Sequence, residues 1–175
     1  MKLLSVSALT LVLLSTFAAA HKPIVYLIRH GEKPSGDKNG LSATGVKRAQ
    51  CVRKVFGHKS HYKIGYILAQ KPKSNGSRER PYLTVKPLAK ELGIHVDTSC
   101  DRDDAKCVKK AVKKYKGSGN ILICWEHHAL TEIVKTLGDH KAPKYPGDDF
   151  GLIWTDPSPY GDITAITEEH CPGLG

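Results

Sequence analysis

The chain has 175 residues, with 27 lysines and arginines against 17 acidic residues and a formal net charge of +10. That length suits one domain with a real hydrophobic core. The cationic excess favours anionic partners (phosphorylated small molecules, nucleic acid or acidic surfaces) without choosing among them. Beyond residue 20 no stretch approaches the roughly 20 apolar residues of a membrane-spanning helix, which excludes a helical membrane domain there.

Residues 1–20 carry an early cation, Lys2, an apolar run from Leu3 to Phe17 and a small-residue end, Ala18-Ala19-Ala20. This pattern reads as a secretory signal cleaved after Ala20, leaving one domain over residues 21–175 and an extracellular protein with no membrane contact. A mature chain starting at His21 raises a copper site built from its amine and ring. Such sites sit on β-sandwiches, whereas this sequence alternates strands with helices. The cysteines Cys51, Cys100, Cys107, Cys124 and Cys171 are odd in number, so at least one thiol is free. Cys124 lies in an apolar run and is the expected free thiol. Cys100 and Cys107 flank a short charged loop that a disulfide can close. No pair has the Cys-x-x-Cys spacing of a zinc site.

The first strand is Ile24 to Ile28, an unbroken apolar run of the kind buried on both faces of a parallel sheet. It stops abruptly at Arg29-His30-Gly31-Glu32, where Gly31 permits a sharp turn or close approach to a ligand. A polar loop follows. Ser42 caps a helix running to about Phe56, and Gly57 ends it. A second strand, about Tyr62 to Ala69, feeds the loop from Gln70 to Ser77. The next helix spans about Glu79 to Leu92, where Pro87 is expected to kink or shorten it. Gly93 stops that helix.

Ile94 to Thr98 reads as a short strand. Ala105, Val108, Val112 and Tyr115 then trace an apolar stripe opposite Lys106, Lys109, Lys110, Lys113 and Lys114. With no aromatic residues among those lysines for base stacking, the face reads as solvated, and no nucleic-acid partner is expected. Asn120 to Trp125 is another buried strand, ending in Glu126-His127-His128. Leu130 to Leu137 forms a helix closed by Gly138. The proline-rich remainder holds two short strands near residues 152–155 and 162–166.

In right-handed β-α-β connections, Arg29-His30, the start of the helix at Arg80, and His127 all fall on the carboxyl edge of one sheet. Two arginines and two histidines there make a cationic pocket suited to phosphate oxygens. These segments resemble the histidine phosphatase superfamily. Ile24 to Glu32 is similar to its Arg-His-Gly signature, and Leu41 to Gly45 with Arg48-Ala49-Gln50 to its Leu-Thr-x-x-Gly helix start. Arg80 to Val85 resembles its second arginine motif, in which threonine follows arginine by four residues. Asn120 to His128 resembles the strand delivering its second histidine.

The resemblance implies a three-layer α/β/α sandwich with a mostly parallel central sheet, phosphoglycerate mutase-like. It also implies a phosphomonoester hydrolase acting on a small phosphorylated substrate, with no metal or other cofactor. His30 would be the nucleophile, and Arg29, Arg80 and His127 would hold the phosphoryl group. Two departures stand out: Glu126 replaces the usual small residue before the second histidine, and His128 follows it. The general acid stays open among Asp101, Asp103, Asp104 and Glu126. The alternative is a phospho-ligand-binding or effector-like protein with little turnover. Asn75-Gly76-Ser77 is an N-glycosylation acceptor a few residues from Arg80, where a glycan would restrict large substrates.

Overall fold

The structure, a computed structural model, describes residues 22–36 and 38–174. The segment read as a signal, residues 1–20, and the copper candidate His21 lie outside the described residues.

Strands β1 (Val25–Arg29), β2 (Ile64–Ala69), β3 (Val96–Asp97), β4 (Asn120–Trp125), β5 (Leu152–Asp156) and β6 (Ala165–Glu168) form one sheet, ordered β3-β2-β4-β1-β5-β6. Helices α1 (Ala43–Val55), α2 (Arg80–Leu92), α3 (Ala105–Lys114) and α4 (His127–Leu137) connect them. The pairings β1–β4, β2–β4 and β2–β3 are parallel, whereas β5 and β6 extend the sheet antiparallel. β1 and β4 sit side by side at the centre and are buried throughout, which is why both are unbroken apolar runs.

Successive side chains of β1 serve opposite faces. Tyr26 and Ile28 pack with Val52 and Phe56 from the α1 segment and Val85 and Leu88 of α2. Val25 and Leu27 pack with Val108 of α3 and Leu130, Ile133 and Val134 of α4. The result is the expected three-layer sandwich. Disulfides join Cys51 to Cys171 and Cys100 to Cys107, and Cys124 is the free, buried thiol. Among the described residues no helix is long and apolar enough to cross a membrane.

Four local expectations are corrected. Helix α2 runs through Pro87 to Leu92, because Val85, Leu88 and Ala89 on either side of it are buried against the sheet and α1. Tertiary packing there outweighs the roughly 3 kcal/mol that proline costs a helix interior. The third strand shrinks to Val96–Asp97, and the last shifts to Ala165–Glu168. Helix α4 begins at His127, three residues before the apolar pattern that marks it in the sequence.

Candidate active site

The parallel strands β1, β2 and β4 end at the same edge, and hydrogen bonds knit those ends together. The His30 amide donates to the Trp125 carbonyl at 3.1 Å, carrying β1–β4 pairing one residue past the strand. The Glu126 amide donates to Gln70 Oε1 at 3.1 Å, and Gln70 Nε2 donates to the Arg78 carbonyl at 3.3 Å. Gln70 is buried, so its amide side chain links the end of β2 to both the second histidine segment and the loop before α2.

His30 is 6% exposed. Its Nδ1 lies 2.7 Å from the Gly31 carbonyl oxygen. A carbonyl can only accept, so the proton sits on Nδ1 and the Nε2 lone pair is left available. Burial, reinforced by the charges of Arg29 and Arg80, lowers the ring's pKa from 6.5 to about 4, against an opposing pull from the Gly31 bond and Glu126. The imidazole is therefore neutral at physiological pH.

Glycine here serves close packing. A Cβ on Gly45 would come within 2.5 Å of the Glu32 carbonyl oxygen, and one on Gly31 within 3.1 Å of the Gly45 carbonyl oxygen. The loop after β1 thus lies directly on the first turn of α1, which Ser42 caps by accepting from the Gly45 amide at 3.0 Å. Gly31 gives this loop its close approach to the helix. Thr84, fully buried, ties this loop to α2: it accepts from the Gly31 amide at 2.8 Å and donates to the Arg80 carbonyl at 2.8 Å. The four-residue spacing of Arg80 and Thr84 is that of a helical back-bond. Through it, the first arginine of α2 is placed relative to His30.

Arg48 braces the same loop from below. Its guanidinium meets Glu32 Oε1 at 2.8 Å and Glu169 Oε2 at 2.9 Å, with the arginine 1% exposed. Burial raises Glu169 to about 7 even beside that cation.

A cavity of about 310 Å³ opens at the strand ends, lined by His30, Asn39, Gln70, Ser77, Arg78, Arg80, Pro81, Arg102 and Glu126. Of the residues expected from sequence, His30 and Arg80 share this cavity. Arg80 is oriented by bonds from Nε to the Gly40 carbonyl at 3.0 Å and from Nη2 to the Lys38 carbonyl at 3.3 Å. Arg29 and His127 do not line it and lie instead against residues 147–150. Arg29 Nη1 donates to the Gly147 and Asp149 carbonyls at 2.6 and 3.3 Å, and the guanidinium stacks on Phe150 at 3.6 Å. His127 opens α4 and lines a neighbouring cavity of about 400 Å³ with Lys135 and Lys144. Its Nδ1 is 2.9 Å from Glu126 Oε1, and its pKa is lowered by burial and by Arg29.

Arg78, Arg102 and Gln70 were not singled out in the sequence. Arg78 occupies the left-handed region at φ 64°, a strained conformation of the kind that gathers at functional sites. Arg102 sits inside the loop closed by Cys100–Cys107, and its carbonyl accepts from Trp125 Nε1 at 2.8 Å. That bond pins the disulfide loop to the end of β4. The aspartates beside Arg102 do not line this cavity: Asp104 caps α3 through the Cys107 amide, Asp103 pairs with Arg102 at 2.7 Å and with Arg78 at 3.9 Å, and Asp101 is exposed.

Larger cavities of about 440 and 510 Å³ lie at the C-terminal segment and beside Tyr66 and Tyr115, away from His30. For a metal, the described residues offer one group, Glu126, His127 and His128, whose ligand atoms lie within 4.8 Å of one another. Its carboxylate and first imidazole already face each other at 2.9 Å.

Neither a family model nor a curated protein matches the sequence. Solved structures do. The chain is similar to a protein from Agrobacterium tumefaciens provisionally named phosphohistidine phosphatase SixA, with TM-score 0.58 and 12% identity over 84% of this chain and 98% of that one. It is also similar to the protein histidine phosphatase SixA complexed with tungstate, with TM-score 0.53 and 13% identity over 83% and 97% of the two chains. An open reading frame product of Mycobacterium tuberculosis matches with TM-score 0.55 and 14% identity over 86% of this chain and all of that one. The chain therefore shares the phosphoglycerate mutase-like fold of these structures.

Proposed function

We propose that this protein is a metal-independent phosphomonoester hydrolase that works through a phosphohistidine on His30. The observation that carries the proposal is the state of that ring: buried, neutral, with Nδ1 committed to the Gly31 carbonyl, on the wall of a cavity bearing Arg78, Arg80 and Arg102. A neutral imidazole with one free lone pair is a nucleophile. Guanidinium groups facing it suit a phosphoryl dianion and the charge spread over its equatorial oxygens in the transition state. The SixA neighbours, one of them bound to tungstate, make a phosphorylated substrate the natural class.

In this mechanism Arg80 holds the phosphoryl oxygens, its angle fixed by the Gly40 and Lys38 carbonyls. Arg78 and Arg102 close the opposite walls. Arg29, held against the Gly147 and Asp149 carbonyls, acts through its field, keeping His30 and His127 toward their neutral forms. His127, with Nδ1 2.9 Å from Glu126 Oε1, takes the second histidine's place beside the phosphoryl group. The guanidinium groups supply the positive charge that a metal ion supplies in other phosphoryl-transfer sites.

The cavity volume and the exposed Asn75 sequon at its rim, next to the lining residue Ser77, favour a small substrate. We also place the protein outside the cell: two disulfides persist most readily in an oxidising compartment.

The test is steady-state hydrolysis of p-nitrophenyl phosphate and of alkyl phosphates, with and without chelator. Hydrolysis that chelator leaves unchanged and Arg80→Ala abolishes supports the reading. Tight binding of phosphorylated ligands by folded protein with no release of phosphate from any ester would instead establish the phospho-ligand-binding alternative.

A further inference from the structure

We propose that Glu126 is the proton donor to the leaving group and, in the second half-reaction, the base that accepts a proton from water; this rests on the phosphohistidine reading above. Transfer of the phosphoryl group to His30 leaves the ester oxygen with the electron pair of the broken bond. A nitrophenolate tolerates that charge, whereas an alkoxide requires a proton.

The cavity wall narrows the choice. Guanidinium groups do not release protons in proteins, and neither amide nor serine side chains titrate in a useful range. Among the described residues lining the cavity with His30, Glu126 is the one carboxyl group. None of the aspartates considered from sequence lines this cavity. Asp104 Oδ1 accepts from the Cys107 amide at 2.9 Å, and Asp103, 62% exposed, is paired with Arg102.

Glu126 is held from several sides. Its amide is fixed by Gln70 at 3.1 Å, and Oε1 lies 2.9 Å from His127 Nδ1. Arg102 Nη1 stands 3.8 Å from Oε2, which is buried and makes no hydrogen bond to any protein group. One carboxyl oxygen thus faces the second histidine, while the other has the Arg102 guanidinium at 3.8 Å and no hydrogen bond.

The step balances as follows. The Nε2–P bond forms as the P–O ester bond breaks; the bonding pair passes to the ester oxygen, which takes the Glu126 proton and departs as the alcohol. Water oxygen then attacks phosphorus and its proton passes to the Glu126 carboxylate. The N–P bond breaks, its pair returns to Nε2, and inorganic phosphate leaves. His30 and Glu126 both end in their starting states.

The test is dependence on the leaving group. Single-turnover phosphorylation of His30 is measured with p-nitrophenyl, phenyl and alkyl phosphates, for wild type, Glu126→Gln and Glu126→Asp. Glutamine keeps size and hydrogen bonding but carries no acidic proton. The expected result is a loss of about 10²–10⁴-fold with alkyl phosphate and a far smaller loss with p-nitrophenyl phosphate. The slope of log rate against leaving-group acidity therefore steepens, and Glu126→Asp recovers part of the alkyl rate. Equal losses across the series would mean that Glu126 only positions His127, and would overturn the proposal, as would an undiminished alkyl rate. Failure of the underlying reading is distinguishable: wild type would then form no phosphoenzyme even from p-nitrophenyl phosphate. A glutamine variant that forms it with an unchanged slope defeats the role of Glu126 alone.

Discussion

An imidazole with an ordinary pKa of 6.5 would be about 3% neutral at pH 5. His30, lowered to about 4 by burial and by the charges of Arg29 and Arg80, would be about 90% neutral there. The fraction of neutral ring at pH 5, the form the proposed mechanism needs, thus differs by about 30-fold between the two cases, and the full displacement corresponds to roughly 3 kcal/mol. The direct assay is an NMR titration of the histidine ring carbons, with His30→Asn identifying the resonance. The signal assigned to His30 should stay in its neutral position from pH 8 to about pH 5 and move only near pH 4. The Nδ1–H tautomer should persist throughout the neutral range, because the Gly31 carbonyl accepts that proton. The sign for stability follows. The unfolded ring takes up its proton near pH 6.5 and the folded ring only near pH 4, so this residue's contribution to stability declines as pH falls through that window. A midpoint near 6.5, or a dominant Nε2–H tautomer, would refute the reasoning that burial and the Gly31 bond prepare the nucleophile.

Gly45→Ala should destabilise the protein by about 1–3 kcal/mol and lower the proposed phosphatase activity along with stability, since its methyl group would meet the Glu32 carbonyl beside the His30 loop; urea unfolding and kinetics on one sample measure both. On chain-entropy grounds the Cys51–Cys171 bridge, with a sequence separation of 120, stabilises by about 5 kcal/mol and Cys100–Cys107, with a separation of 7, by about 2 kcal/mol. Removing the first pair should therefore cost more in chemical denaturation, while removing the second should raise KM more, because it releases the loop carrying Arg102. Asp156 is fully buried with neither oxygen hydrogen-bonded, and burial with the charges of Asp139 and Asp162 raises it to about 7. Its unfolded counterpart ionises near 3.8, so stability falls as pH rises from about 4 to 7. Asp156→Asn should remove that dependence and gain a few kcal/mol over wild type at pH 8, read by thermal unfolding across pH.

The central strands were legible because burial on both faces demands unbroken apolar runs, as in Val25–Arg29 and Asn120–Trp125. Their charged ends were legible for the same reason: an apolar run that stops at Arg29-His30 or Glu126-His127 marks the edge of the sheet. What stayed hidden depended on tertiary contacts. Pro87 reads as a helix breaker, yet burial of Val85, Leu88 and Ala89 carries α2 through it. His127 lies in a helix that has no side-chain cap and opens on two histidines, so the apolar pattern begins only at Ala129 and Leu130. Arg78 and Arg102 arrive from loops, one through a left-handed backbone and the other through a disulfide-closed segment pinned by Trp125. The one available hint for Arg102 was its place between Cys100 and Cys107. The pairing of Gly31 with Gly45 was written in two separate motifs whose glycines explain each other only once β1 and α1 are side by side.

The most direct measurement is acid-free quench and trapping of the phosphoenzyme formed from ³²P-labelled p-nitrophenyl phosphate, in the presence of chelator, for wild type and His30→Ala. A phosphohistidine mechanism predicts a base-stable, acid-labile adduct on the wild-type protein, mapped to the peptide containing His30 and absent from the folded variant. A wild-type protein that releases phosphate without that adduct, or an adduct that survives in His30→Ala, would contradict it.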